Sequence, residues 1–349
     1  MGLSIRFTFD PPTPYHTLSF HQNRGIRQKF MDMDNAGKIM PALGADLYDS
    51  LKMLTEFPDG FSMIVLPSRI FAHSLLQRFF HSGISVIPAP PGYGISLQQD
   101  MNESAFSVST IPPRGLPERI PQLDTDFLIC VDSDPSSGSI FHTMDIRSVK
   151  SYKPELTVCL DNSLSYMNAT LNFPGIDAYL FDTAYVTGMQ PSITMLLVPG
   201  QLGSTIMLEL KDILMFPESG NEYPQFLIHR EVDLLRLYVF KEICYDMIRR
   251  DPKIIRNEII YKSYLLYTAL TESSHFDPVV RDPDERSPNI LSARILSSPE
   301  IITGNFRSKG ILFDMLTING IGYHARFSNF PVHSREQVEF LADAITGLN

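Results

Sequence analysis

The chain has 349 residues, a formal net charge of -10 and 44 % hydrophobic residues. That length suits a large α/β domain with a smaller one beside it, and the apolar share is enough for a sizeable core. An acidic chain without a basic block is a poor nucleic-acid binder, and no apolar run reaches the ~18 residues of a membrane span.

The first residues, MGLSIRFTFDPPTPYH, have neither the apolar stretch nor the small-residue cleavage site of a signal peptide. Arg6 stands where a myristoylation signal needs Ser or Thr. Pro11, Pro12 and Pro14 make this start irregular, and residues 1–20 are expected to form an N-terminal arm. Residues 39–56 carry apolar side chains at helical spacing, and GFSMIVLPS (60–68) follows as a short buried strand. RIFAHSLLQRFFHSG (69–83) is expected to be a helix ended by Gly83. A strand and a Pro/Gly loop (84–97) come next, and then a polar, irregular stretch over 98–122.

The middle of the chain is more regular. DFLICVDSD (126–134), LTVCLDNSL (156–164), IDAYLF (176–181) and ITMLLVPG (193–200) are continuous apolar runs, and HTMDIRSVKSY (142–152) lies between the first two as a short helix. Runs without polar alternation predict strands buried on both faces of a central α/β sheet. Polar residues at the C-terminal ends of such strands are where open α/β sheets bind ligands. Cys130 and Cys159 sit inside two of these runs and, with Cys244, in no CxxC spacing, so buried free thiols in a reducing cytoplasm are expected. Beyond this, 230–250 and 257–274 read as long amphipathic helices separated at Asp251-Pro252, and 275–294 as a polar loop. ARFSNFP (325–331) reads as a strand, and Ser334-Arg335-Glu336-Gln337 as a capping box opening a last helix with Val338, Leu341 and Ile345 inward. The large domain is set at 21–228, and a linking helix with a small domain at 229–349. The nine histidines show no metal-ligand spacing, and neither a Ser-His-Asp nor a Cys-His arrangement can be assembled.

Three segments in this order, DTDFLICVDSDPSSGSIF, LTVCLDNSLSYMNATLNFPGIDAYLFDTAYVTG and ARFSNFPVHSREQVEFLADAI, resemble the phosphoserine aminotransferase family, class V aminotransferases of the type I pyridoxal-phosphate (PLP) fold. The likeness is clearest from about residue 124 to the end. It implies an α/β protein with a central, mostly parallel, seven-stranded-type sheet and a smaller C-terminal α+β domain. It also implies a homodimer, because cofactor sites in that family lie at a subunit interface, and PLP as the cofactor of the family.

Residue by residue, the resemblance puts Asp161 where a carboxylate keeps the pyridine nitrogen protonated, so that the ring can act as an electron sink. The plainer reading is that Asp161 ends a strand and caps the next turn. Arg326 falls where an arginine fork grips a substrate carboxylate, the plainer reading being a surface arginine on an edge strand. The Schiff-base lysine position falls at Tyr185, with Lys153 and Lys211 the nearest lysines on either side. A phenol of reference pKa ~10 is a poor substitute for that amine. The phosphate cradle would be Ser68, Arg69 and backbone N–H groups at a helix N-terminus. The stacking aromatic falls near His73, which ordinary packing also explains. Pro135 replaces a cofactor-binding threonine, and Asp32 and Asp34 lie where a His-Arg pair would bind a substrate phosphate, which speaks against phosphoserine.

These departures predict a chain without normal transaminase activity, serving as a scaffold, a partner subunit or a binder of a small carboxylate at Arg326. Two alternatives remain: an enzyme that uses PLP or pyridoxamine phosphate non-covalently, and a class V aminotransferase acting on an amino or keto acid other than phosphoserine.

Overall fold

The computed structural model describes residues 5–7, 36–80, 82–93, 107–141, 143–165, 171–187, 192–215, 224–318 and 320–348. Asp32 and Asp34, and the loop following Tyr93, lie outside them.

Strand β1 is Ile5–Phe7. Helix α1, Ala36–Thr55, buries Leu43, Leu47, Leu51 and Leu54 along one stripe, as the apolar spacing predicts. The buried strand β2, Phe61–Leu66, leads into helix α2, Arg69–Phe79. This helix stops short of Gly83, which opens strand β3, Gly83–Pro88, rather than ending the helix. The stretch expected to be irregular holds strand β4, Ser107–Ile111, the short helix α3, Leu116–Arg119, and a 3-10 turn, Ile120–Gln122. Its SVSTI strand has no apolar run because it forms a half-exposed sheet edge.

Strand β5 (Phe127–Val131), helix α4 (Thr143–Tyr152), and strands β6 (Thr157–Asp161), β7 (Ala178–Asp182) and β8 (Thr194–Pro199) follow the predicted runs. The five-residue helix α5, Thr183–Thr187, separates β7 from β8. Helix α6 (Gly200–Leu210) and strands β9 (Leu214–Met215) and β10 (Phe226–His229) complete a nine-stranded sheet in the order β4-β3-β5-β6-β7-β8-β2-β10-β9. The resemblance implies seven strands, and the sheet has nine. The sheet is parallel except at β8, which runs against both β7 and β2, and at the edge strand β9. Both faces are covered, one by a core that includes Leu51, Leu128, Val149 and Phe240, the other by α2 and α6 through Leu76 and Ile206.

Helix α7, Leu234–Arg249, places Leu237, Phe240 and Cys244 in the large core. Helix α8, Pro252–Glu272, begins almost at once, five residues earlier than its apolar pattern suggests. Asp251 makes the corner at φ 67, and its side chain accepts a hydrogen bond from the Lys253 N–H at 2.9 Å. Pro252 costs nothing at the first helical position, where the N–H has no partner anyway. The expected polar loop contains strand β11 (Phe276–Pro278), a 3-10 turn (Pro283–Glu285) and most of strand β12 (Ile290–Ile295). After helix α9 (Pro299–Ser308) come strands β13 (Ile311–Ile318) and β14 (Gly322–Ser328) and helix α10 (Arg335–Thr346). The capping box of α10 forms as predicted: the Gln337 N–H donates to Ser334 Oγ at 3.3 Å and the Ser334 N–H to Gln337 Oε1 at 3.0 Å. These strands make a second sheet, β1-β13-β14-β12-β11, with the N-terminal β1 parallel to β13. Its core is Leu266, Phe276, Phe306, Phe327 and Leu341.

Candidate functional site

Parallel strands deliver their C-terminal ends to one edge of a sheet, where side chains face a crevice rather than a ladder partner. Here β6 and β7 end in Asp161 and Asp182, Asp132 follows directly on β5, and β2 delivers Ser68 and the start of α2 to the same edge. Asp161 is completely buried. Its Oδ1 accepts hydrogen bonds from the Ser163 hydroxyl at 2.6 Å and the Ser163 N–H at 3.1 Å, so it does cap the turn that ends β6. Its Oδ2 accepts from Arg69 Nη2, which reaches over from the first turn of α2. The arginine side chain is 17 % exposed, so this pair is largely withdrawn from water. A buried carboxylate needs such a partner, because its desolvation costs several kcal/mol.

Ser68 is the N-cap of α2 and accepts from the Phe71 N–H at 3.2 Å. His73, one turn beyond Arg69, is buried at 1 % exposure. Burial, with the Arg69 charge adding to it, lowers its pKa to about 4, so the imidazole is neutral near pH 7. Helix α2 therefore brings one cation, Arg69, and one neutral ring, His73, to this edge, whereas the strand ends bring three carboxylates.

Asp182 is held by its own surroundings. Its Oδ1 accepts from the Ala184 N–H at 2.8 Å, and its Oδ2 from Thr194 Oγ1 at 2.8 Å and Ser192 Oγ at 3.0 Å. Burial raises its pKa, and these hydrogen bonds and Arg69 pull the other way. By capping α5, Asp182 fixes the backbone that carries Tyr185, just beyond the strand beside Asp161. The Tyr185 side chain itself lies outside the described residues. Of the flanking lysines, Lys153 donates to the Leu123 and Thr125 carbonyls at 3.0 and 2.6 Å, before the start of β5 and so at the opposite edge of the sheet. Lys211 is exposed at the end of α6.

Arg326 comes from the second sheet. It stands on β14, between β12 and β13 and not on an edge, which corrects the plainer reading of this residue. Its Nε and Nη2 donate to Asp314 Oδ2 at 3.1 and 2.8 Å, and its Nη1 to the Pro135 carbonyl at 3.0 Å. The fork is thus occupied by a carboxylate of the same chain, directly across the ladder. Pro135 lies in the turn after β5, where Asp134 accepts from the N–H and hydroxyl groups of Ser136 and Ser137.

The structure brings Arg69, Asp161 and His73 together, and has Arg326 bridging to the turn beside them. Sequence reasoning missed Asp132, Asp182 and Asp314. The first two stand in VDSD and LFDT, at the strand ends where open sheets bind ligands, so the signal was present. Asp314 had none, because its role depends on the register of β13 against β14. Within the expected polar loop, RDPDERS keeps Arg281, Pro283 and Asp284 exposed, while Arg114 pairs with Asp282 and, at 2.9 Å, with Glu285, and Ser287 is buried. Among the described residues, no group of His, Cys, Asp and Glu could hold a metal, and no helix is long and apolar enough to cross a membrane.

No protein-family model and no curated protein matches the sequence. Solved structures do match in fold. A phosphoserine aminotransferase, SerC, from Cytophaga hutchinsonii superposes with a TM-score of 0.78 at 18 % identity, over 99 % of both chains. An aspartate aminotransferase of subgroup IV from Thermus thermophilus gives 0.72 at 14 % identity, also over 99 % of both. A NifS-like protein from Rickettsia africae gives 0.67 at 12 % identity over 99 % of both. At these identities the likeness establishes the fold, type I of the PLP-dependent transferases.

Proposed function

We propose that this chain is a phosphoserine-aminotransferase-like protein that has kept the type I fold without normal transaminase activity, and acts as a scaffold or partner subunit, as a homodimer. The observation that carries this reading is the Arg69–Asp161 pair. The carboxylate that the resemblance assigns to a pyridine nitrogen is already bound by the protein's own cation. PLP does not suit these residues. Its phosphate would need the cation that Asp161 holds, and it would sit beside Asp161 and Asp182. Tyr185, at the lysine position, has no amine with which to hold an aldehyde. The occupied fork of Arg326 supports the scaffold over a binder of small carboxylates, since a substrate would have to displace Asp314.

The test is a titration of the purified protein with PLP, followed by absorption, with and without borohydride, and by intact mass. The expected result is no saturable band and no fixed adduct. A reduced adduct on an internal lysine would overturn the proposal, and tight, non-covalent binding that depends on Asp161 would favour an enzyme using the cofactor without a covalent link.

A further inference from the structure

On the face of the large sheet opposite α2, a cavity of about 180 Å³ lies between α4 and the ends of β5 and β6. Its walls include Leu160, Phe141, Ile146 and Phe173, and its polar groups include Asp132 and Asn162. Both are set by the backbone. The Asp132 N–H donates to the Asp161 carbonyl at 2.9 Å, and the Asn162 N–H to the Leu180 carbonyl at 2.8 Å. Both carboxylate oxygens of Asp132 and the Oδ1 of Asn162 are shut off from solvent without a hydrogen-bond partner. Weaker interactions with the Ser165 hydroxyl and the Ser133 N–H do not offset burial, and the carboxyl pKa is pushed up to about 7. Unpaired buried acceptors are costly, and a native fold keeps them where something supplies the missing donors.

We propose that this cavity binds a small molecule with a protonated amine on an apolar body, the ammonium group donating to Asp132 and Asn162. The acceptors call for a ligand rich in N–H donors, the carboxylate favours a positive one, and the walls favour a hydrocarbon body. Arg147 lines the same cavity, exposed and 5.6 Å over the Phe173 ring. An amino acid would add a carboxylate near it, whereas a simple amine would not. The site is separate from the Arg69–Asp161 pair and does not depend on whether PLP binds.

Isothermal calorimetry on the full chain compares isobutylammonium, leucine and isobutanol. The amine is expected to bind at least about tenfold more tightly than the alcohol, and Asp132→Asn to remove that difference. If leucine binds better than the amine and Arg147→Ala abolishes only the gain, the ligand is an amino acid; equal binding in both proteins points to a simple amine. Equal affinity for amine and alcohol, or no heat from any of the three at about 10 mM, would overturn the proposal, because buried water then satisfies these acceptors. The comparison of amine with alcohol is made on the unaltered protein and decides the matter even if the Asp132 variant fails to fold.

Discussion

Replacing Arg69 with methionine leaves Asp161 buried beside two Ser163 hydrogen bonds and no cation. Breaking one side of a buried pair usually costs more than the pair is worth, so Arg69→Met should destabilise the fold by about 3 kcal/mol. The double variant Arg69→Met, Asp161→Leu should recover most of that loss, because it removes both charges. Urea unfolding of the four proteins in the cycle measures it. If the double variant is as unstable as the single one, Arg69 is held by something other than Asp161. The same pair shows what was legible at this scale. The resemblance pointed to the aspartate, the arginine and the histidine one by one, but the sequence offers no sign that the first two would pair, because their partnership spans 92 positions of chain.

Turns carry the same lesson at the scale of the element. Gly138 closes the turn after β5 at φ +74, and a Cβ there would lie 2.4 Å from the Ile290 carbonyl oxygen. Its N–H donates to the Asp134 carbonyl at 2.8 Å, and its carbonyl accepts from the Ser287 N–H at 2.7 Å, so the turn cannot shift without losing contact with the second sheet. Gly138→Ala should therefore cost about 2–3 kcal/mol, from the positive φ and the clash with backbone. A melting curve reads this, and a loss within error would mean that the Ile290 strand yields. Asp251→Ala should cost about 1–2 kcal/mol, through the lost cap of α8 and a positive φ that Asp tolerates better than Ala. The long apolar runs were visible as strands because burial on both faces leaves no room for polar residues. The edge strand β4 and the two-residue β9 were not, because edges are set by what packs beside them.

At the scale of the whole molecule, the two sheets are joined by specific contacts. Tyr93 Oη meets His324 Nε2 at 2.8 Å, Arg326 reaches the Pro135 carbonyl, and Asn289 Nδ2 donates to the Leu164 carbonyl. At the far side His333 accepts from the Phe330 N–H at 3.1 Å and bonds the Arg6 carbonyl of β1 at 2.9 Å, which ties the N-terminal strand to the second sheet. Burial lowers the pKa of His333, as of His73, to about 4. Both imidazoles are neutral in the native state, while the unfolded chain protonates them below its ordinary value near 6.5. Their contribution is therefore present above that value and lost as pH falls towards 4.

Asp132 has the opposite sign. Its native pKa, raised by burial to about 7, lies above the unfolded value, so the native state binds the extra proton. Its favourable contribution is complete at acid pH and disappears as pH rises through 7. Asp132→Asn should thus match the original protein near pH 4 and exceed it by about 2–4 kcal/mol above pH 7. His73→Leu should make the acid side of the stability curve shallower without altering the alkaline side. Denaturant unfolding at a series of pH values separates the two. A gain from Asp132→Asn that is the same at every pH would show that its carboxyl does not change charge in this range, and would leave its unpaired oxygens to be explained by packing alone.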